Sequence, residues 1–376
     1  DVRVIKAVGG DISADVIIDG DLRVAVAVAR GGGGGITGSI DVLGDIVALK
    51  AVGGNLSADV DCGSDLRVAM AVAKGGGGNI NGQINVNGDI VVVKAVGGNV
   101  ADLVTAGGDC RGIMAISRSG SGGNISGGVT IGQDCRVIKA VGGTVGLPPV
   151  TIGGDLGVLV IVNGDLFAQL SVTGAAAGSN GDIRAVKVVG GNIHGSVAAA
   201  GSIGTLASIW RSQGGNFVGS IVSAEDGISR LHGCGNGAGA QFNVEGGLGV
   251  VTVVGNLTGS QFDIDASGND PGSLRVLVVK GSVTASDLDI EDDLSVVKVL
   301  TDLYNSSIRA DEFGKVLVYG QIYEDGLDLD TDEIVAQRGR FYAMDSTWRG
   351  WIDDGTEYGD HWFDEGQPNG FRAWVA

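Results

Sequence analysis

The chain has 376 residues, 70 of them glycine and four proline, with 44% apolar residues and a formal net charge of −19. The glycines lack the every-third spacing of collagen, and the apolar fraction argues against a disordered chain. The acidic balance, without a basic patch interleaved with aromatics, argues against nucleic acid as a partner, and no run of 18 apolar residues suggests a membrane span.

Asp1–Gly44 reads DVRVIKAVGGDISADVIIDG then DLRVAVAVARGGGGGITGSIDVLG. Asp45–Gly88 reads DIVALKAVGGNLSADVDCGS then DLRVAMAVAKGGGGNINGQINVNG. The chain thus repeats about every 44 residues, and the halves of each unit match, giving an elementary repeat of about 20 residues. Repetition at this period predicts a solenoid, whose length no single core limits. Position 1 of the repeat is Asp in successive coils: Asp1, Asp21, Asp45, Asp65, Asp89, Asp109, Asp134, Asp155 and Asp182. Position 2 is Val, Leu, Ile or Cys, positions 9 and 10 are mostly Gly-Gly, and position 11 favours Asn, as in Asn55, Asn79, Asn99, Asn124 and Asn192. Small or aliphatic residues at positions 12, 14, 16 and 18 have the period of two of a strand with one buried face. Each coil is expected to hold a strand over positions 2–8 and one or two short strands across 11–19. Turns are expected at Gly-Gly and at the Gly-Asp junction, where glycine and Asn tolerate left-handed backbone angles. The scarcity of proline agrees, because nearly every strand must donate its N–H.

The coil length, the GN-I-x-G-x-I-x-V-x-G-D pattern and the Asn column resemble the parallel β-helices of bacterial surface and secreted proteins. The resemblance covers roughly Asp1–Glu333, about 15 coils. It implies an all-β, single-stranded parallel β-helix, right-handed as such helices usually are. It names no activity, because similar patterns recur in adhesins, polysaccharide lyases, filament proteins and bactofilin-like scaffolds.

Every second coil carries about four extra residues after position 8. Each insertion brings one base: Arg30, Lys74, Arg118 and Arg211. The glycine runs lack the GK[ST] ending and following helix of a phosphate cradle, so a flexible or outward-packed loop is expected. Position 6 alternates between Lys6, Lys50, Lys94, Lys139 and Lys187 and apolar Val26, Met70, Met114 and Val160. If position 6 faces outward, so do Val4, Val24, Val68 and Val92 and Val8, Val28, Val52, Val72 and Val96. That apolar stripe would need a covering loop or another chain. The alternative is a bend in the strand that buries some of these positions. Cys110 and Cys135 share one repeat position a coil apart, where a disulfide is conceivable; burial as small apolar side chains is the expectation for them and for Cys62 and Cys234.

Three segments follow from the pattern: a regular solenoid over 1–201, an irregular acidic solenoid over 202–333, and an aromatic-rich segment over 334–376. The first 190 residues hold 17 acids and 14 bases, the remainder 27 and 11. Closely spaced Asp328, Asp330 and Asp332 are weak calcium candidates, without an EF-hand or a Gly-Gly-x-Gly-x-Asp nonapeptide; solvated acidic turns are the plainer reading. No other cofactor is expected. The last segment holds Trp348, Trp351, Trp362 and Trp374, suited to a cap over the open solenoid end, a subunit interface or a sugar platform. Asp1 falls directly in repeat register with no signal peptide before it, which reads as a mature or trimmed chain. An uncapped first coil, Asp1, Val2, Val4 and Val8 foremost, would invite edge-strand addition by a second copy, and head-to-tail contacts of that kind do not close.

A catalytic site should interrupt the repetition, because it is a single place on the solenoid. The interruptions are the AAAGSNG insertion near 174–181, the stretch 223–247 with Glu225, Asp226, Arg230, His232 and Glu245, and the tail with His361 among Asp360, Asp364 and Glu365. None has recognisable catalytic spacing, so no enzyme is expected; a polysaccharide lyase or hydrolase is the third reading. Threonine is too scattered for an ice-binding face. The leading expectation is an extracellular or cell-surface structural protein that self-assembles end to end, and also laterally, into a filament or layer. A cytoplasmic scaffold shares the same physics. The second reading is an adhesin-like stalk that binds a glycan or cell surface.

Overall fold

A computed structural model describes residues 1–310 except 31–32, 74–76, 119–121, 211–214, 267–271 and 305. Beyond these it describes 312–319 and the strand backbones of 322–323, 333–335, 339–343, 349–352 and 372–374. The chain is an all-β parallel β-solenoid of about 14 turns, with no helix among the described residues. Two compact units result: Asp1–Gly191 with Ala198–Ala200, and Asn192–Val197 with Gly201–Ala376.

In the first unit each coil has three sides. A long strand, such as Leu66–Val72, occupies positions 2–8. A middle strand at positions 12–13 is as short as Ile36–Thr37 or a single bridge such as Leu56↔Ile80, and a return strand, such as Ile84–Val86, fills 16–18. Equivalent residues pair in parallel, as Ile90↔Leu66 and Val96↔Val72 on the long side and Ile84↔Val104 on the return side. Leu56, Ala58, Val60 and Cys62 all point inward and are buried, as the period of two requires. The core is a set of apolar columns, each stacked at the ~4.8 Å strand spacing.

The long strand departs from strict alternation. Positions 2, 5 and 7 face in: Leu66, Ala69 and Ala71 are fully buried. A bend between positions 2 and 5 shifts the phase by one residue. Positions 4, 6 and 8 remain outside and are half-buried by their column neighbours, as at Val68, Met70 and Val72. The outward stripe expected from the sequence is therefore present, and the bend that exists does not bury the valines at positions 4 and 8.

The second unit repeats the same three sides with different corners. Its long strands include Ile228–Gly233, Leu248–Val253, Leu274–Val279 and Asp293–Val299, paired in parallel. Phe217, Phe242 and Phe262 line its interior, with Phe242 and Phe262 stacked at 4.6 Å between centroids. Towards the C-terminus Gly339–Ala343 pairs in antiparallel fashion with Arg349–Ile352, and Glu333–Val335 pairs in parallel with Arg372–Trp374.

Candidate functional site

The most repeated polar chemistry in the molecule joins one coil to the next. At the leading corner, Oδ1 of each Asp accepts the backbone N–H of the equivalent Asp one coil on, from Asp1 with Asp21 to Asp155 with Asp182, at 2.7–3.1 Å. A second ladder runs through position 11. Asn55, Asn79, Asn99 and Asn124 accept the N–H of Asn79, Asn99, Asn124 and Thr144 at 2.7–3.0 Å. The second unit continues that Asn chemistry from Asn192 through Asn216, Asn236 and Asn256 to Ser282. Strand-end N–H groups that have no ladder partner thus gain a side-chain acceptor.

These ladders explain the glycines that precede them, and correct one expectation. The left-handed conformation sits at position 9, with φ +94° at Gly53, +86° at Gly97 and +78° at Gly142. At Gly20, Gly44, Gly88, Gly108 and Gly154 the glycine of the Gly-Asp junction is not left-handed, whereas Gly181, at φ +79°, is. A Cβ on Gly108 would lie 2.1 Å from Asp89 Oδ1, and one on Gly143 would lie 2.4 Å from Asn124 Oδ1. The Gly-Asp and Gly-Asn pairs therefore leave space for the carboxylate or amide reaching up from the coil below.

Of the residues expected at an assembly surface, Asp1 is the first member of the Asp ladder and Val2 bridges Leu22. Val4 and Val8 point outward, 59% and 74% exposed. Trp351 and Trp374 lie on the strands Arg349–Ile352 and Arg372–Trp374, while their side chains, with Trp348 and Trp362, are outside the described residues. The same holds for Asp328, Asp330, Asp332, His361, Lys74 and Arg211. No group of three His, Cys, Asp or Glu among the described residues is arranged to hold a metal.

Cys110 and Cys135 are buried neighbours on one column with no disulfide between them, and Cys62 is buried too. The hydrogen bond with Cys110, and then burial, push the Cys135 thiol well above its usual range. His232 stands 3.1 Å from Cys234 Sγ through Nε2, and burial, then Lys280 and Arg230, hold it below the ordinary histidine value. A shallow open groove at the start of the long strands is lined by Asp226, Ser229, Ser273, Arg275 and Asp293.

Two outward faces carry distinctive chemistry. The long sheet of the first unit bears the columns at positions 4 and 8, half-exposed Val24, Val68 and Val92 and Val28, Val72 and Val96. The return sheet of the second unit bears acids in register, Asp263 beside Asp289 and Glu245 beside Asp265. Burial, then Asp265, Asp289 and Asp287, raise the Asp263 carboxyl above the usual value. The linear sequence does not show this second face, because its acids become one surface only when the coils stack in register.

Comparison of the chain with protein-family models, curated proteins and solved structures finds no match. No helix among the described residues is long and apolar enough to cross a membrane.

Proposed function

We propose that the protein is a structural β-solenoid that associates with copies of itself into an extracellular filament or surface layer. The observation that carries this reading is the outward apolar stripe of the first unit. Valine-rich columns at positions 4 and 8 run half-exposed from coil to coil on a parallel sheet, flanking the position-6 column in which lysines alternate with Val or Met; extended exposed apolar columns mark interaction surfaces. Lateral association removes it. End-to-end growth is the second mode, because any rung edge of a parallel solenoid offers the N–H and C=O pattern that a further rung needs. The extracellular setting rests on the resemblance to surface and secreted β-helices. We assign no catalytic step and no cofactor.

Electron microscopy of the undenatured protein at two concentrations tests the reading. Filaments or layers are expected, growing with concentration. A Val68→Glu, Val92→Glu variant should stay folded by circular dichroism and lose lateral association. Isolated particles at both concentrations would overturn self-assembly and direct attention to glycan binding.

A further inference from the structure

All the described lysines and arginines up to Gly190 lie on one side of the coil. Arg23, Arg67, Arg111 and Arg136 occupy position 3 of the long strand, and Lys50, Lys94, Lys139 and Lys187 occupy position 6. Arg30 and Arg118 follow the same strand in the glycine loops. The Arg column stands next to the Asp ladder of position 1, whose carboxylates are turned to the coil above. The Lys column stands about 10 Å beyond that, five residues along the strand from position 1, in the middle of the face. Its members recur every second rung, about 9.6 Å apart.

The second unit has the opposite surface. Glu245, Asp263, Asp265, Asp289 and Glu291 are exposed on its return sheet, on neighbouring rungs. Like charges held at strand spacing repel, and the upward shift of the Asp263 carboxyl reports that repulsion together with burial.

Resting on the self-assembly reading, we infer that copies pack side by side heterologously, the basic long sheet of the first unit against the acidic return sheet of the second unit in a neighbouring copy. Both surfaces are ladders with the same ~4.8 Å rung, so a lysine recurring on every second rung can meet the two-rung carboxylate columns Asp263–Asp289 and Glu245–Asp265, beyond which Arg309 follows Asp289. An arbitrary acidic partner would lack that spacing. Copies with a charge of −19 repel in most approaches and attract where the lysine face meets an acidic return sheet; the first unit's return sheet also bears Asp41 beside Asp61. Because the two patches differ, the contact is heterologous and adds copies one after another, as a row or a closed ring.

Two charge reversals test this. One variant carries Lys50→Glu, Lys94→Glu and Lys139→Glu; the other carries Asp263→Lys, Asp265→Lys and Asp289→Lys. All six positions face outward, and circular dichroism checks the fold of each. Association is read by sedimentation at about 50 mM and about 0.5 M salt. The wild type should associate at low salt and at least about tenfold more weakly at high salt. Each variant alone should lose association by about tenfold or more, and an equimolar mixture of the two should recover it. Wild-type association unchanged by either reversal would overturn the face pairing and leave self-assembly standing. A wild type that never associates would overturn both. If that wild type instead binds a polyuronate through the lysine face, the occupant is an acidic polymer.

Discussion

The two units build the same three-sided coil and secure its corners differently. In the first, the leading corner is held by a side chain, with Asp on Asp from coil to coil. In the second, Gly227 and Gly247 replace Asp at position 1, with Gly227 at φ +94° and Gly246 at +84°. Backbone bonds such as Ile228 N to Gly247 O, which have counterparts in the first unit, span this corner, and at the next one Asp292 Oδ2 accepts the N–H of Gly272. The turn between middle and return strands also differs. The second unit places Gly219, Gly239, Gly259 and Ala285 there with φ between +48° and +61°, and follows them with buried Ser220, Ala240, Ser260 and Ser286. The stacked strands dictate the coil, and corners accept more than one chemistry provided that every buried N–H finds an acceptor.

The largest contrast should come from alanine at two left-handed glycines. A Cβ on Gly53 would lie 2.1 Å from the Ala29 carbonyl oxygen, whereas one on Gly259 meets nothing within 4 Å. Gly53→Ala should destabilise by about 3 kcal/mol or more, and Gly259→Ala by about 1 kcal/mol, read from urea midpoints. Equal losses would mean that the clash at Gly53 relaxes.

Next comes the choice of ladder. Asn99→Ala strands the part-buried N–H of Asn124 and should cost about 1–3 kcal/mol. Asp89→Ala uncovers an exposed N–H on Asp109 that water can serve, so its effect should be clearly smaller. A larger loss at Asp89 would make the Asp corner the principal staple.

Within the second unit, Ser286 Oγ accepts from Ser260 N and donates to the Thr284 carbonyl, while Ser220 Oγ is buried with no partner. Ser286→Ala should cost about 1 kcal/mol, and Ser220→Ala should be neutral or stabilising. Ala285→Gly, at φ +48°, should raise stability by about 0.5–1 kcal/mol in the same melts.

The smallest effect is a pH contrast of opposite sign. Burial alone would raise Asp155, but hydrogen bonds from Ser179 and from the N–H groups of Asp182, Gly181 and Asn180 outweigh it and hold the carboxyl below the usual value. Its contribution is present above the unfolded value near about 3.9 and is lost as pH falls through the lower folded one. Asp263 is raised, so its penalty is felt at neutral pH and is relieved as pH falls through the folded value. Acidification from about pH 6 to about pH 3 should raise hydrogen exchange around Asp155 relative to that around Asp263. Parallel changes in both regions would refute the contrast.

Much of this was legible in the residues. Positions 12–18 betray the inward face because a short flat strand alternates strictly, and the leading Asp sets the register. The long strand was harder: its inward set of 2, 5 and 7 follows no simple period, and only the stacked coils show where the bend falls. The junction glycines looked like left-handed turns, because one sequence cannot show that the space above each is filled from the coil below. The separation of charge onto faces was hidden for the same reason: Lys94 and Asp263 acquire a face only once the coil closes. The C-terminal segment lacks the repeat, so nothing in its residues fixes a register.

The Asp ladder also has a direction. Each side chain from Asp1 to Asp155 accepts from the coil that follows it, so at this corner those coils present the same socket upward and the same plug downward. Removing residues 45–88 would join Gly44 to Asp89 and bring Asp89 N–H onto Asp21, a mating identical in kind to those already present. The gene can therefore gain or lose a 44-residue unit by recombination between its own copies and still encode a sound molecule, shorter or longer by about 9.6 Å. Small-angle scattering of such a deletion would measure the step. Length here is an inherited count of interchangeable parts, which selection can adjust without inventing a new contact.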